Sequence, residues 1–138
     1  MKDRLSRRDL LALAATSGAV LALPRWARAA EAAPAKKKVL ILGGTRFLGV
    51  AIVEAALAKG WELTLFNRGK SNPGLFKGRP LEEIHGDRNV AEDVKKLAGK
   101  KWDAVIDTSG YFPRQVRSAA EVLAGNVGQY VFISSISV

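Results

Sequence analysis

From Lys38 onward the chain alternates short, wholly apolar runs with longer stretches whose apolar residues recur every three or four positions. The first run, Lys38-Val39-Leu40-Ile41-Leu42, has β-branched members and no polar alternation, which predicts a strand buried on both faces of a parallel sheet. Gly43-Gly44-Thr45 breaks it. Between Arg46 and Lys59 the apolar positions Phe47, Leu48, Ala51, Ile52, Ala55, Ala56 and Leu57 predict a helix, and Gly60 stops it. Further strands are expected over residues 61–66, 103–107 and 129–134, with a weaker one over 82–85. Helices are expected over 90–97, ended by Gly99, and over 113–123, where Pro113 suits a first helical position. Residues 68–80, rich in Gly, Pro, Asn and Lys, read as a surface loop.

Strands alternating with helices imply parallel pairing through right-handed crossovers, hence an α/β fold: a Rossmann-like doubly wound parallel sheet with about five strands. Ligands of such sheets bind beyond the C-terminal strand ends, near the point where the strand order reverses. The chemistry-bearing residues should therefore follow each strand. They fall at 43–49, 67–68, 86–88, 108–110 and 134–135.

The residues before Lys38 have a different pattern. MKDRLSRRD at positions 1–9 is polar and basic, residues 10–24 are an apolar run, and Ala27-Arg28-Ala29 supplies the small-x-small pattern of a signal-peptidase site. The run is too short to span a bilayer, which needs roughly 20 apolar residues. Residues 1–29 are thus expected to be a cleaved export signal rather than a permanent membrane anchor. Ser6-Arg7-Arg8-Asp9-Leu10-Leu11 places paired arginines as in twin-arginine signals, so the expected destination is periplasmic and the expected partner the twin-arginine machinery. A basic amphipathic helix retained on the protein is the competing reading, but Thr16, Ser17 and Gly18 interrupt any single apolar face. Residues 30–37 form an Ala/Pro/Lys linker, and 38–138 the expected dinucleotide-binding domain.

Composition changes this picture in one respect. The net charge of +9 and pI near 10.2 suggest a polyanionic partner when taken whole. Residues 1–29, however, hold six basic and two acidic side chains, leaving +5 on the rest, so no nucleic-acid footprint is expected. The absence of cysteine excludes a disulfide framework, a thiolate metal site and a cysteine nucleophile, and the single His85 argues against a histidine-based metal site. No metal site is expected.

A glycine turn between a buried strand and a helix aims backbone N–H groups and the positive helix end at an anion, which suits a pyrophosphate. Gly43 would allow the tight turn and Gly49 close helix–sheet packing, while Arg46 stands where a middle glycine is usual. Arg46 must then point away or clamp a phosphate. An NAD site has Asp or Glu at the end of the second strand to hold the ribose 2′-hydroxyl. Here that place is Asn67-Arg68, which favours NADP over NAD because a guanidinium can pair with a 2′-phosphate.

Val39 to Gly49, Phe66-Asn67-Arg68-Gly69, Gly86-Asp87-Arg88, Trp102 to Asp107 and Tyr130 to Ser135 together resemble the NAD-dependent epimerase/dehydratase group of the extended short-chain dehydrogenase/reductases. The resemblance implies that Gly43, Gly44, Thr45, Arg46, Phe47, Leu48 and Gly49 line the pyrophosphate. It puts Asn67 and Arg68 at the adenosine ribose and Asp87 and Arg88 at the adenine. Thr108, Ser109 and Gly110 would meet the nicotinamide-side ribose, and Ser135 matches the family's catalytic serine. It also implies hydride chemistry on a nucleotide sugar or related carbonyl compound, with a tyrosine as general acid/base assisted by a lysine four residues later. That pair is missing: Tyr111 and Tyr130 are followed four residues on by Gln115 and Ser134.

With Val138 directly after the fifth expected strand, the resemblance implies the N-terminal, cofactor-binding part of a longer enzyme, inactive by itself. A homodimer of the full-length protein is left open. The alternative is a non-catalytic dinucleotide-binding or RNA-binding relative of the same superfamily, for which Lys70, Lys77, Arg79, Lys95, Lys96, Lys100 and Lys101 would supply phosphate partners.

Overall fold

A computed structural model describes residues 35–134; the expected export signal, most of the linker and Ser135 lie outside the described residues. In chain order the elements are β1 (Lys38–Leu42), α1 (Phe47–Ala58), β2 (Glu62–Asn67), β3 (Leu81–His85), α2 (Ala91–Lys95), β4 (Trp102–Asp107), α3 (Pro113–Leu123) and β5 (Val127–Phe132). All strand pairs are parallel, in the order β3-β2-β1-β4-β5. The chain steps outward from β1 to β3, then returns to the other side of β1 to lay down β4. This reversal opens the crevice between β1 and β4 that doubly wound sheets use for ligands.

The apolar character of β1 follows from its central place. Successive side chains of a strand point to opposite faces. Leu40 and Leu42 enter a cluster with Phe66, Leu97, Trp102, Val105, Ala119 and Leu123, while Val39 and Ile41 enter another with Val53, Ala56, Leu63, Leu65 and Phe76. Both faces are covered, so no position of β1 after Lys38 tolerates a polar side chain. Phe76, buried in the second cluster, pins the 68–80 loop to the body of the domain.

Strands β2, β3 and β4 differ from their sequence-based bounds by one residue, and two elements differ by more. The helix expected over 90–97 is only Ala91–Lys95, because Leu97 and Ala98 bond back three residues, to Val94 and Lys95, and tighten the chain out of the α-helix. Strand β5 is Val127–Phe132, two residues earlier than the 129–134 expected. Its register is fixed by β4, with Trp102 opposite Val127 and Asp107 opposite Phe132. Gly128 disguises the start of this strand in the sequence, yet it is needed there: a Cβ would lie 2.8 Å from the Asp103 carbonyl oxygen.

Candidate dinucleotide site at the strand switch point

A crevice of about 280 Å³ lies over the C-terminal ends of the strands. Gly43, Gly44, Thr45 and Arg46 line it from the β1–α1 turn, Asn67 and Arg68 from the end of β2, Asp87 and Arg88 from the β3–α2 loop, and Thr108 and Ser109 from the end of β4. Ten of the expected site residues are thus brought together. Gly49 lies buried behind the turn, Phe47 and Leu48 face outward with 96% and 43% exposure, and Gly110 lines an adjoining cavity. Sequence reading missed Ser71, Asn89, Tyr111 and Gln115, which also line the crevice. In the sequence, Tyr111 and Gln115 stand out only as lacking the Tyr-x-x-x-Lys pattern.

The β1–α1 wall is shaped by backbone. Gly43 has φ +105°, and a Cβ on Gly49 would fall 2.7 Å from the Gly44 Cα, so the helix can start this close to the turn only without a side chain there. The N-cap of α1 is Arg46, in extended conformation, with no side-chain capping bond and no acidic residue in the first turn. The Gly49 N–H donates back to the Arg46 carbonyl at 2.9 Å, so the Phe47 and Leu48 N–H groups and the positive helix end are what is left for an external acceptor. Phe47 is held at φ +39°, a left-handed conformation that costs a non-glycine residue about 1–2 kcal/mol. The exposed Arg46 and Arg68 side chains border the same space. Asn67 orders the turn after β2 by accepting the Gly69 N–H on Oδ1 at 2.7 Å, and its buried Nδ2 has no partner.

The β4 wall is built from side chains instead. Arg88 forks onto Asp107, with Nη1 to Oδ1 at 2.6 Å and Nη2 to Oδ2 at 2.8 Å. Asp107 is fully buried and the Arg88 side chain only 10% exposed. Arg88 also donates to Ser109 Oγ at 2.9 Å and to the Gln115 carbonyl at 3.2 Å. The Tyr130 hydroxyl donates to Asp107 Oδ2 at 2.7 Å. Gln115 extends the network by accepting the Tyr111 and Phe112 N–H groups and donating to Asn89, whose amide bonds Asp87.

Electrostatics follow from these contacts. Burial alone would push the Asp107 carboxyl up, but the Arg88 guanidinium and the Tyr130 hydroxyl outweigh it and hold the group below the usual carboxylate range. Burial and then the Asp107 carboxylate push the Tyr130 phenol well above its ordinary value. Asp87 is kept low first by the Asn89 N–H, with Arg68 and Lys70 adding to the effect, so the crevice holds an ionised acceptor. Outside it, Lys95, Lys96, Lys100 and Arg79 are each paired with a carboxylate, of Glu92, Asp93, Glu82 and Glu54 respectively. Four of the seven basic residues that could have made a nucleic-acid surface are thus paired where they stand. His85, 64% exposed, contacts Glu83 at 3.3 Å.

Strand order, switch-point crevice and glycine turn define a doubly wound nucleotide-binding domain. A family model described as "NAD dependent epimerase/dehydratase family" matches residues 39–132, and the chain belongs to that family. It is 34% identical over 119 residues to the "Chloroplast stem-loop binding protein of 41 kDa b, chloroplastic" of Arabidopsis thaliana, covering 77% of this chain and 31% of that one. It is 33% identical over 106 residues to the "Phenylcoumaran benzylic ether reductase Betv6" of Betula pendula, covering 69% and 34%. The chain spans about a third of the length of these curated relatives. Among solved structures, the Bordetella bronchiseptica enzyme WbmG in complex with NAD superimposes with a TM-score of 0.62 at 16% identity, covering 72% of this chain and 37% of that one, a likeness of fold.

Proposed function

We propose that this chain is the NAD(P)-binding part of an exported epimerase, dehydratase or reductase acting on a nucleotide sugar or a related carbonyl compound. The observation that carries the reading is the division of labour in the switch-point crevice. The side of β1 and β2 offers N–H groups, a helix N-terminus and two exposed arginines, with the ionised Asp87 beside Arg68; the β4 side offers hydroxyls. A dinucleotide needs both, an anion receptor for its phosphates and acceptors for its ribose hydroxyls and adenine amine. The residues present fit such a group: Gly43 leaves the turn bare where a Cβ would stand 2.6 Å from Thr108 Oγ1. Gly43 to Arg46 would hold the pyrophosphate, Arg68 a 2′-phosphate, and Thr108 and Ser109 the second ribose.

Arg68 directly follows Asn67 at the end of β2, and the absence of a carboxylate at those two positions favours NADP. The bound nicotinamide would supply hydride transfer to or from a carbon of the substrate. Tyr130 does not serve as the base, since its proton is held on Asp107 and its acidity is suppressed. Tyr111 is 83% exposed, with Gln115 and not lysine four residues on. The chain therefore binds cofactor without turnover. Calorimetric titration with NADP and NAD tests this: tighter NAD than NADP overturns the preference, and turnover of any sugar nucleotide by this chain overturns the assignment of inactivity.

The twin-arginine route fits a dinucleotide-binding protein, because that route carries folded proteins and lets cofactor be acquired before export. Replacing both Arg7 and Arg8 by lysine in a reporter fusion should abolish export; undiminished export would refute it. A second reading, an RNA-binding relative, is favoured by the name of the chloroplast protein at 34% identity. Salt-sensitive RNA binding that disappears on neutralising Lys95, Lys96, Lys100 and Lys101 would establish it.

A further inference from the structure

Ser109 sits between two groups that leave its hydroxyl no choice of orientation. The Arg88 guanidinium, a donor only, approaches Oγ at 2.9 Å, and the Leu42 carbonyl, an acceptor only, lies 3.1 Å away. The Ser109 proton must therefore point at Leu42, and the oxygen faces the crevice with a lone pair alone. Thr108 also donates its hydroxyl to the Leu42 oxygen, at 3.0 Å, but has no guanidinium behind it and can turn. Arg88 is itself fixed by its fork onto the buried Asp107.

We propose that Arg88 is a positioning residue: anchored on Asp107, it locks Ser109 as a pure hydrogen-bond acceptor, so that this end of the crevice selects a ligand hydroxyl and rejects an anion. The inference rests on the dinucleotide reading of the crevice and deepens it. It gives Arg88 a task beneath the surface rather than a direct contact with adenine. It also accounts for a buried ion pair at this spot, since such pairs add little net stability over apolar replacements and are better explained by what they hold in place.

The test compares ADP with ADP-ribose on the purified chain by calorimetry, because ADP-ribose carries the terminal ribose that ADP lacks, and the charge difference between the two ligands is common to every variant. Each protein is scored by its own ratio of ADP to ADP-ribose dissociation constants. Ser109→Ala, which leaves the Arg88–Asp107 pair intact, should lower that ratio roughly threefold to tenfold, the worth of one neutral hydrogen bond. Arg88→Lys, which keeps the charge and loses the fork, should lower it to a similar degree, and should lower it no further when added to Ser109→Ala. If Arg88→Lys does not fold, Asp107→Asn, which loosens the anchor of Arg88 instead of its fork, takes its place in the same comparison, with folding checked by circular dichroism. An unchanged ratio in Ser109→Ala overturns the proposal, as does an Arg88→Lys effect that persists in full on top of it. Failure of ADP itself to bind overturns the dinucleotide reading, and the proposal with it.

Discussion

The two walls of the switch-point crevice reach a defined shape by opposite means. The β1–α1 wall is made by backbone conformation, with bare glycines at Gly43 and Gly49 and an uncapped helix start. The β4 wall is made by side chains, in which Arg88, Asp107, Ser109, Gln115 and Tyr130 bond one another out of water, the buried Arg88 Nε alone of the guanidinium nitrogens having no partner. A backbone wall can leave its donors free for a ligand. A side-chain wall spends its donors internally and presents what remains. The ligand thus meets an anion receptor on one side and an acceptor surface on the other.

The largest expected effect belongs to the side-chain wall. Asp107→Ala leaves the Arg88 charge buried without a partner and should destabilise the fold by about 3–5 kcal/mol in chemical denaturation. A loss under about 1 kcal/mol would mean that the network is not what holds this wall. On the backbone wall, Gly49→Val drives atoms into the Gly44 backbone and should cost about 1–3 kcal/mol while abolishing dinucleotide binding. Binding retained at full strength by Gly49→Val would remove the argument for close packing at the turn.

Arg68→Ala sharpens the comparison without disturbing either wall. It should weaken NADP about tenfold and leave NAD nearly unchanged in parallel titrations. Equal losses for both cofactors would deny Arg68 its place at a 2′-phosphate. Tyr130→Phe removes one hydrogen bond from Asp107 and should cost about 1 kcal/mol at neutral pH.

The same variant has a pH signature. The raised Tyr130 value means that its stabilisation is complete below the ordinary phenol pKa of about 10 and is lost above it. The lowered Asp107 value means that its stabilisation is complete above the ordinary carboxyl pKa of about 3.9 and fails as pH drops further. Melting temperature against pH should therefore fall on both flanks; Tyr130→Phe should flatten the alkaline one and, because its hydroxyl helps hold Asp107 low, part of the acid one, where Arg88 remains. Flattening of the acid flank alone would show that the two groups do not share a proton donor and acceptor as described.

Legibility in the sequence divides along the same line. The strand–turn–helix unit and the glycine wall could be read because each depends on neighbours within a few residues, as in Leu42 to Gly49, and parallel pairing because strands alternate with helices along the chain. The β4 wall could not, because its bonds join residues 19 to 27 positions apart, from Arg88 to Asp107, Ser109 and Gln115. One signal was present: Asp107 closes a buried apolar run, and a carboxylate there requires a cation from elsewhere. Arg88 was the candidate at the same end of the sheet, and reading it as an adenine contact obscured that pairing. The adjoining misreading of β5 has the same origin, since a register set by Trp102 and Asp107 is invisible within residues 127–132.

The Leu42 carbonyl, which accepts the Thr108 N–H and both the Thr108 and Ser109 hydroxyls, carries its effect into the next bond of the chain. A peptide oxygen so loaded with donors polarises its own amide and strengthens the hydrogen bond made by the following N–H. That N–H belongs to Gly43 and donates to the Phe66 carbonyl at 2.9 Å. Amide exchange at Gly43 should accordingly be among the slowest in the domain, and should quicken when Ser109 loses its hydroxyl. A side chain just beyond the end of β4 would then be heard at β2, through the dipole of a single peptide group.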